Sequence, residues 1–131
     1  MKKIIALGGA GHIGSCGVRE LVKRAPEIEV VIADYDLEKA QMLVAEVGGK
    51  ASAAQIDATD FKSLVQLIKG AEVVVSTVGP YYRFGEQVVK AAIAAKTPVV
   101  DICDDGDATE QILALDGKAK KAGISVIVGM G

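Results

Sequence analysis

Apolar residues along the 131-residue chain gather into short continuous runs, and these alternate with longer stretches in which they recur every three or four positions. The runs lie at 3–7 (KIIAL), 28–34 (IEVVIAD), 51–57 (ASAAQID), 71–77 (AEVVVST), 98–103 (PVVDIC) and 124–129 (ISVIVG). Their length and β-branched content predict strands, the third being the weakest, and unbroken hydrophobicity predicts burial on both faces, as in a parallel sheet. The periodic stretches at 13–24, 37–47, 60–70, 84–96 and most of 108–123 predict helices. Ile13, Val18, Leu21 and Val22 are expected to share a buried face of the first. Gly48-Gly49 stops the second helix, and the basic GKAKKAG segment suits the final turn of the last one, where cations oppose the helix dipole. Asp36, Asp60 and the acidic group Asp104, Asp105 and Asp107 stand where helix N-caps are needed. Six strands with helical crossovers predict an α/β domain over residues 1–131, a doubly wound parallel sheet in the order 3-2-1-4-5-6.

Composition narrows the classes. Half of the residues are hydrophobic and the formal net charge is −2, so no general attraction for nucleic acid is expected. The apolar stretch after Lys2-Lys3 lasts only from Ile4 to Leu7 before the glycines begin, too short for a signal core or a membrane span. Cys16 and Cys103 lie far apart in sequence and are accompanied by a single histidine, which favours reduced thiols over a zinc site. A cytoplasmic protein with no membrane or nucleic-acid partner and no metal is the expectation.

The chemistry sits in GGAGHIGS, residues 8–15. Gly9, Gly11 and Gly14 form G-x-G-x-x-G; Gly8, Gly11 and Gly14 form the G-x-x-G-x-x-G of short-chain dehydrogenases and sugar epimerases. With 15 glycines in the chain the bare pattern says little, but here it follows a predicted strand and opens a predicted helix. That is the Rossmann-type context in which a dinucleotide's diphosphate meets main-chain N–H groups and the positive end of a helix. Gly9, Gly11, His12, Ile13 and Gly14 are the candidate diphosphate ligands, His12 through its N–H rather than its imidazole. Asp34 closes the second predicted strand, where a carboxylate accepts both adenosine ribose hydroxyls; it favours NAD over NADP, whose 2′-phosphate would meet a negative charge. Asp57 and Ala58 are placed near adenine, and Thr77, Val78 and Gly79 along the cofactor's middle and nicotinamide side. Pro80 fixes the loop, and Tyr81 and Tyr82 stand beside the crevice as a candidate aromatic lid. Asp101, ending the fifth predicted strand, is the candidate catalytic group, with a structural role as its alternative; Cys103 is expected to pack.

The epimerase register lacks its chemistry, a Tyr with a Lys four residues later to lower the phenol's pKa. Tyr81 and Tyr82 are followed at that distance by Gly85 and Glu86, while Tyr35 and Lys39 lie at the adenosine end. From STVGPYYRFGEQVV onward, through VVDICDD and AKKAGISVIVGMG, the chain resembles the NAD(P)-binding domain of the saccharopine dehydrogenase family. The resemblance implies an oxidoreductase that makes or breaks a secondary amine by moving hydride between a nicotinamide and an imine carbon. It further implies a second, substrate-binding domain, a small amine or amino-acid substrate and a homodimer in the complete protein. On that reading the present chain is a truncated N-terminal domain, inactive alone. A nucleotide-sensing module of the potassium-channel regulator type and an extended short-chain dehydrogenase or epimerase are the rival expectations.

Overall fold

The computed structural model describes residues 2–79, 81–102 and 105–129, with only the backbone for residues 81 and 82. The expectations for Pro80, the tyrosine lid, Cys103 and Asp104 fall outside the described residues. The elements run β1 (Lys3–Leu7), α1 (His12–Arg24), β2 (Glu29–Asp34), α2 (Leu37–Val47), β3 (Ala51–Gln55), α3 (Phe61–Ile68), β4 (Val73–Ser76), α4 (Tyr81–Ala95), β5 (Val99–Asp101), α5 (Gly106–Leu113), α6 (Asp116–Ala122) and β6 (Val126–Ile127). The six strands form one sheet in the order β3-β2-β1-β4-β5-β6, and every pairing is parallel. The doubly wound α/β topology read from the sequence is therefore the observed one.

The strands are continuously apolar because helices cover both faces. Ile5 and Leu7 of β1 point to one side, with Val31, Ala33 and Val74, and meet Leu64 and Ile68 of α3 and Val88 and Val89 of α4. Ala6 points to the other, with Val30 and Ile32, and meets Val18 of α1 and Ala40 and Leu43 of α2. Successive side chains of a strand alternate between faces, so each run has to be hydrophobic at every position. The weaker third run forms β3, an edge strand on which no side chain is fully buried.

Aspartates at helix starts behave as expected. Asp36, Asp60 and Asp105 accept N–H bonds from Lys39, Ser63 and Ala108. Lys120 and Lys121 occupy the last turn of α6. Four expectations change. Ile13 is 59% exposed rather than buried, because it lies in the first turn of α1, next to the loop that leads out of β1. The last helical stretch is two helices: the Leu115 N–H turns back to Ile112 O at 2.9 Å, which buries Leu115, and the poor helix former Gly117 follows in the first turn of α6. Helix α4 starts at Tyr81, earlier than the periodicity predicts. Strand β6 keeps only two residues, matching the two positions at which β5 pairs with it.

Among the described residues no helix is long and apolar enough to cross a membrane. Ile32 is fully buried at the centre of the α1/α2 face. Ile32→Ala is expected to lower the unfolding free energy by about 2–5 kcal/mol. Urea denaturation measures this, and a loss below about 1 kcal/mol would contradict the assigned packing.

Candidate functional site

The loop between β1 and α1 is held from three sides. The Gly8 N–H donates to Ala33 O of β2 at 2.8 Å. The Thr77 hydroxyl, just beyond β4, shares its hydrogen between Leu7 O at 3.2 Å and Gly8 O at 3.1 Å. The Ala10 N–H donates to Asp34 Oδ2 at 3.0 Å, while Asp34 Oδ1 accepts from the Asp36 N–H at 3.1 Å. Asp34 is thus a clasp joining the glycine loop to the β2–α2 turn, a role the sequence reading did not foresee. A carboxylate has about four lone-pair sites, so two bonds leave it able to accept ribose hydroxyls.

Glycine is required in both registers. Gly8 adopts φ +74°, the left-handed region, and a Cβ there would stand 3.1 Å from Val78 N. A Cβ on Gly14 would strike Gly8 O and lie 2.7 Å from Thr77 Oγ1 and 2.9 Å from Gly9 Cα. Gly9 is closely packed too, its added Cβ falling 2.8 Å from Ala6 O. Gly8 belongs to one pattern and Gly9 to the other, so spacing alone does not choose between them. Gly11 differs: it caps α1, and a Cβ on it would meet only Gly8 O, at 3.3 Å. A side chain there would stand over the rim of the crevice rather than pack.

Helix α1 has no side-chain cap and no acidic residue in its first turn. Among the described residues the N–H groups of His12, Ile13 and Gly14 have no acceptor. They therefore present partial positive charge with nothing to neutralise it.

A crevice of about 490 Å³ opens beside this end at the carboxyl edge of the sheet. Gly8, Gly11, Asp34 and Tyr35 form one wall; Ile56, Asp57, Ala58 and Thr59 form a second. Thr77, Val78 and Gly79 supply the third, with Arg83 and Phe84 of α4 above them. Thr59 donates to Asp57 Oδ1 through its hydroxyl at 2.6 Å and its N–H at 2.9 Å. The Thr59 hydroxyl, then its N–H, and the field of Arg83 hold the Asp57 carboxyl below the usual carboxylate range.

Of the residues singled out in the sequence, Gly11, Asp34, Asp57, Ala58, Thr77, Val78 and Gly79 share this crevice. Gly9 and Gly14 are packed beneath it, and His12 and Ile13 lie on the first turn of α1 beside it. Asp101 is 1% exposed at the end of β5, in register with Ser76, and does not line the crevice. The sequence reading placed Tyr35 at the adenosine end without giving it a role, and it missed Ile56, Thr59, Arg83 and Phe84. A D-x-T spacing signals the Asp57–Thr59 turn; nothing local announces Arg83 or Phe84, which arrive through the docking of α4.

A flat dinucleotide with a doubly charged centre fits these features: bare amides at the head of α1, a carboxylate, Asp34, on the neighbouring wall, and apolar side chains in the same crevice. Comparison with known proteins agrees. The profile of the saccharopine dehydrogenase NADP binding domain matches residues 4–127. The chain belongs to that family. Its fold overlays on a saccharopine dehydrogenase (L-Glu forming) from Saccharomyces cerevisiae with a TM-score of 0.84 and 31% identity, covering all of this chain and 27% of the yeast one. A saccharopine dehydrogenase-like oxidoreductase of Rattus norvegicus is 26% identical over 98% of this chain and 34% of its own length. A lipid droplet localized protein of Caenorhabditis elegans is 29% identical over 98% of the chain and 32% of its own length. The chain thus spans about a third of these relatives. An Escherichia coli NADPH-dependent quinone oxidoreductase complexed with NADPH shares the fold, with TM-score 0.68 at 23% identity. The domain is an NAD(P)-binding domain of saccharopine dehydrogenase-like oxidoreductases, and neither the sensor nor the epimerase expectation has better support.

Because the Asp57 pKa is lowered by folding, the stability it contributes is present above the ordinary carboxylate range and lost as pH falls through the lowered value. Thr59→Val removes the leading cause. The Asp57 midpoint, followed by carboxyl-carbon NMR titration, is expected to rise toward 3.8, the ordinary value; an unchanged midpoint would contradict the arrangement.

Proposed function

We propose that the crevice binds a nicotinamide dinucleotide with its diphosphate against the main-chain amides of His12, Ile13 and Gly14, beside Gly9 and Gly11, whose own N–H groups donate to Ala6 O at 3.2 Å and Gly8 O at 3.1 Å and shape the loop. The observation that carries this reading is the start of α1, which has a glycine cap, no acid in its first turn and no acceptor for its leading amides among the described residues. Asp34 accepts from the adenosine ribose while keeping its bond to Ala10. Asp57 and Ala58 border the adenine, and Thr77, Val78 and Gly79 guide the remainder toward β5. When bound, the nicotinamide supplies or accepts a hydride. Asp101, buried and in register with Ser76, acts by supporting the loop after β5 rather than by touching substrate.

The family description names NADP. We nevertheless propose that this chain prefers NAD, since the Asp34 carboxylate stands where a 2′-phosphate would be placed and Asp57 adds a second negative charge to the same crevice. The reaction class follows from the family: oxidation or reduction at a carbon–nitrogen bond of a small amine or amino acid. The substrate and the subunit interface are proposed to lie in parts of the relatives' length that this chain does not span, and the assembly to be a cytoplasmic homodimer.

Calorimetric titration with NAD and NADP tests the assignment. NAD is expected to bind more tightly. Asp34→Ala is expected to weaken NAD by about 10–100-fold, the worth of hydrogen bonds to a charged group, and to narrow the preference. Equal or tighter binding of NADP by the parent chain would contradict the preference; binding of neither would contradict the crevice assignment.

A further inference from the structure

Arg83 is the one cation lining the crevice among the described residues, and it shares that lining with two carboxylates, Asp34 and Asp57. It forms no ion pair there with either. Its guanidinium instead lies over the ring of Phe84, 5.1 Å from the centroid. Its position is fixed by α4: one helical turn further on, Gln87 Nε2 donates to Thr59 O at 3.3 Å, which ties this face of the helix to the loop after β3. The same loop carries Asp57, whose carboxylate feels the Arg83 charge. Arg83 therefore lines the same crevice as the apolar side chains of Ile56, Ala58 and Val78.

The cofactor reading above leaves one part of the dinucleotide for these residues. With the diphosphate at the α1 end and the ribose at Asp34, the base falls between the Asp57 loop and α4. One face of a purine then rests on apolar side chains, and its other face is open to water unless Arg83 covers it. A guanidinium is planar, weakly hydrated and suited to stacking on an aromatic face. The alternative for an arginine in a dinucleotide site is a bond to a 2′-phosphate, as in NADP-binding domains. The charges disfavour it, because a dianion drawn to Arg83 would also meet Asp34 and Asp57, and one cation does not offset both.

Resting on the nucleotide assignment above, we propose that Arg83 positions the cofactor by stacking on the adenine, closing the base slot against Ile56 and Val78 without regard to the 2′-substituent. Asp57 complements it at the base edge. Both bonds from Thr59 go to Oδ1, so Oδ2 remains available to accept from the exocyclic amine.

The test is calorimetric titration of the parent, Arg83→Ala and Arg83→Lys with NAD, NADP and ADP-ribose. Arg83→Ala is expected to weaken all three by a similar factor, about tenfold, as for the loss of one base-stacking side chain. Arg83→Lys keeps the charge but not the plane, and is expected to recover little of that loss. A defect confined to NADP would overturn the proposal in favour of a phosphate contact. Full rescue by lysine would overturn it in favour of simple charge. Unchanged affinity of Arg83→Ala in a chain whose parent binds NAD would overturn the stack alone, whereas a parent that binds none of the three would overturn the nucleotide assignment with it.

Discussion

Helix α1 can start where it does only because Gly14 carries no side chain. A methyl group at that position would collide with the carbonyl of Gly8 and press on the Thr77 hydroxyl. That close approach draws the first turn of the helix against the ends of β1 and β4, the two strands at the centre of the sheet. Thr77 completes the contact by bonding back to Leu7 and Gly8, and Asp34 secures the loop from the β2 side through Ala10. Glycine main chain, at Gly8 and Gly11, thus forms part of the crevice wall beside α1. The amides at the head of α1 lie next to that wall because Gly14 lets the helix approach so closely.

Electrostatics then separates this helix end from those of α2, α3 and α5. Helices α2, α3 and α5 each begin at an aspartate that consumes one of the free amides, whereas α1 begins at Gly11 with no acid nearby on its own first turn. Around the same opening Asp34 and Asp57 provide acceptors for neutral donors such as sugar hydroxyls and amines, and Arg83 adds a planar cation. The arrangement is polarised along the crevice, with donors at the diphosphate end and acceptors toward the base. A dinucleotide has the complementary order.

Much of this was legible in the sequence, for physical reasons that differ from element to element. Strands buried on both faces must be apolar at every position, so runs such as Val30 to Ala33 and Val73 to Val75 announced themselves, and the sheet order followed from six such runs with helical crossovers. Aspartates at helix starts were equally readable, since a cap is a local bond between neighbours in the chain. Ile13 was misjudged because helical period says which residues share a face, not how far the helix extends past the sheet. The break at Leu115 was hidden because it serves the burial of Leu115 itself, a tertiary gain. Crevice residues from the strand ends were found in sequence, since topology puts strand ends at the ligand edge. Arg83 and Phe84 were not, because their place depends on how α4 docks against the loop after β3. The clasp from Asp34 to Ala10 spans 24 positions and had no local signature.

The central claim, that an anionic cofactor rests on the exposed amides at the head of α1, is tested most directly by amide NMR of the chain titrated with NAD. The account predicts that the largest shifts fall on the N–H signals of His12, Ile13 and Gly14, with Asp57 and Thr77 to Gly79 following at the same ligand concentrations. It would be contradicted if those three amides stayed in place while the ligand moved signals elsewhere, such as a second groove lined by Ile112 of α5, Ala119 of α6 and Val126 of β6.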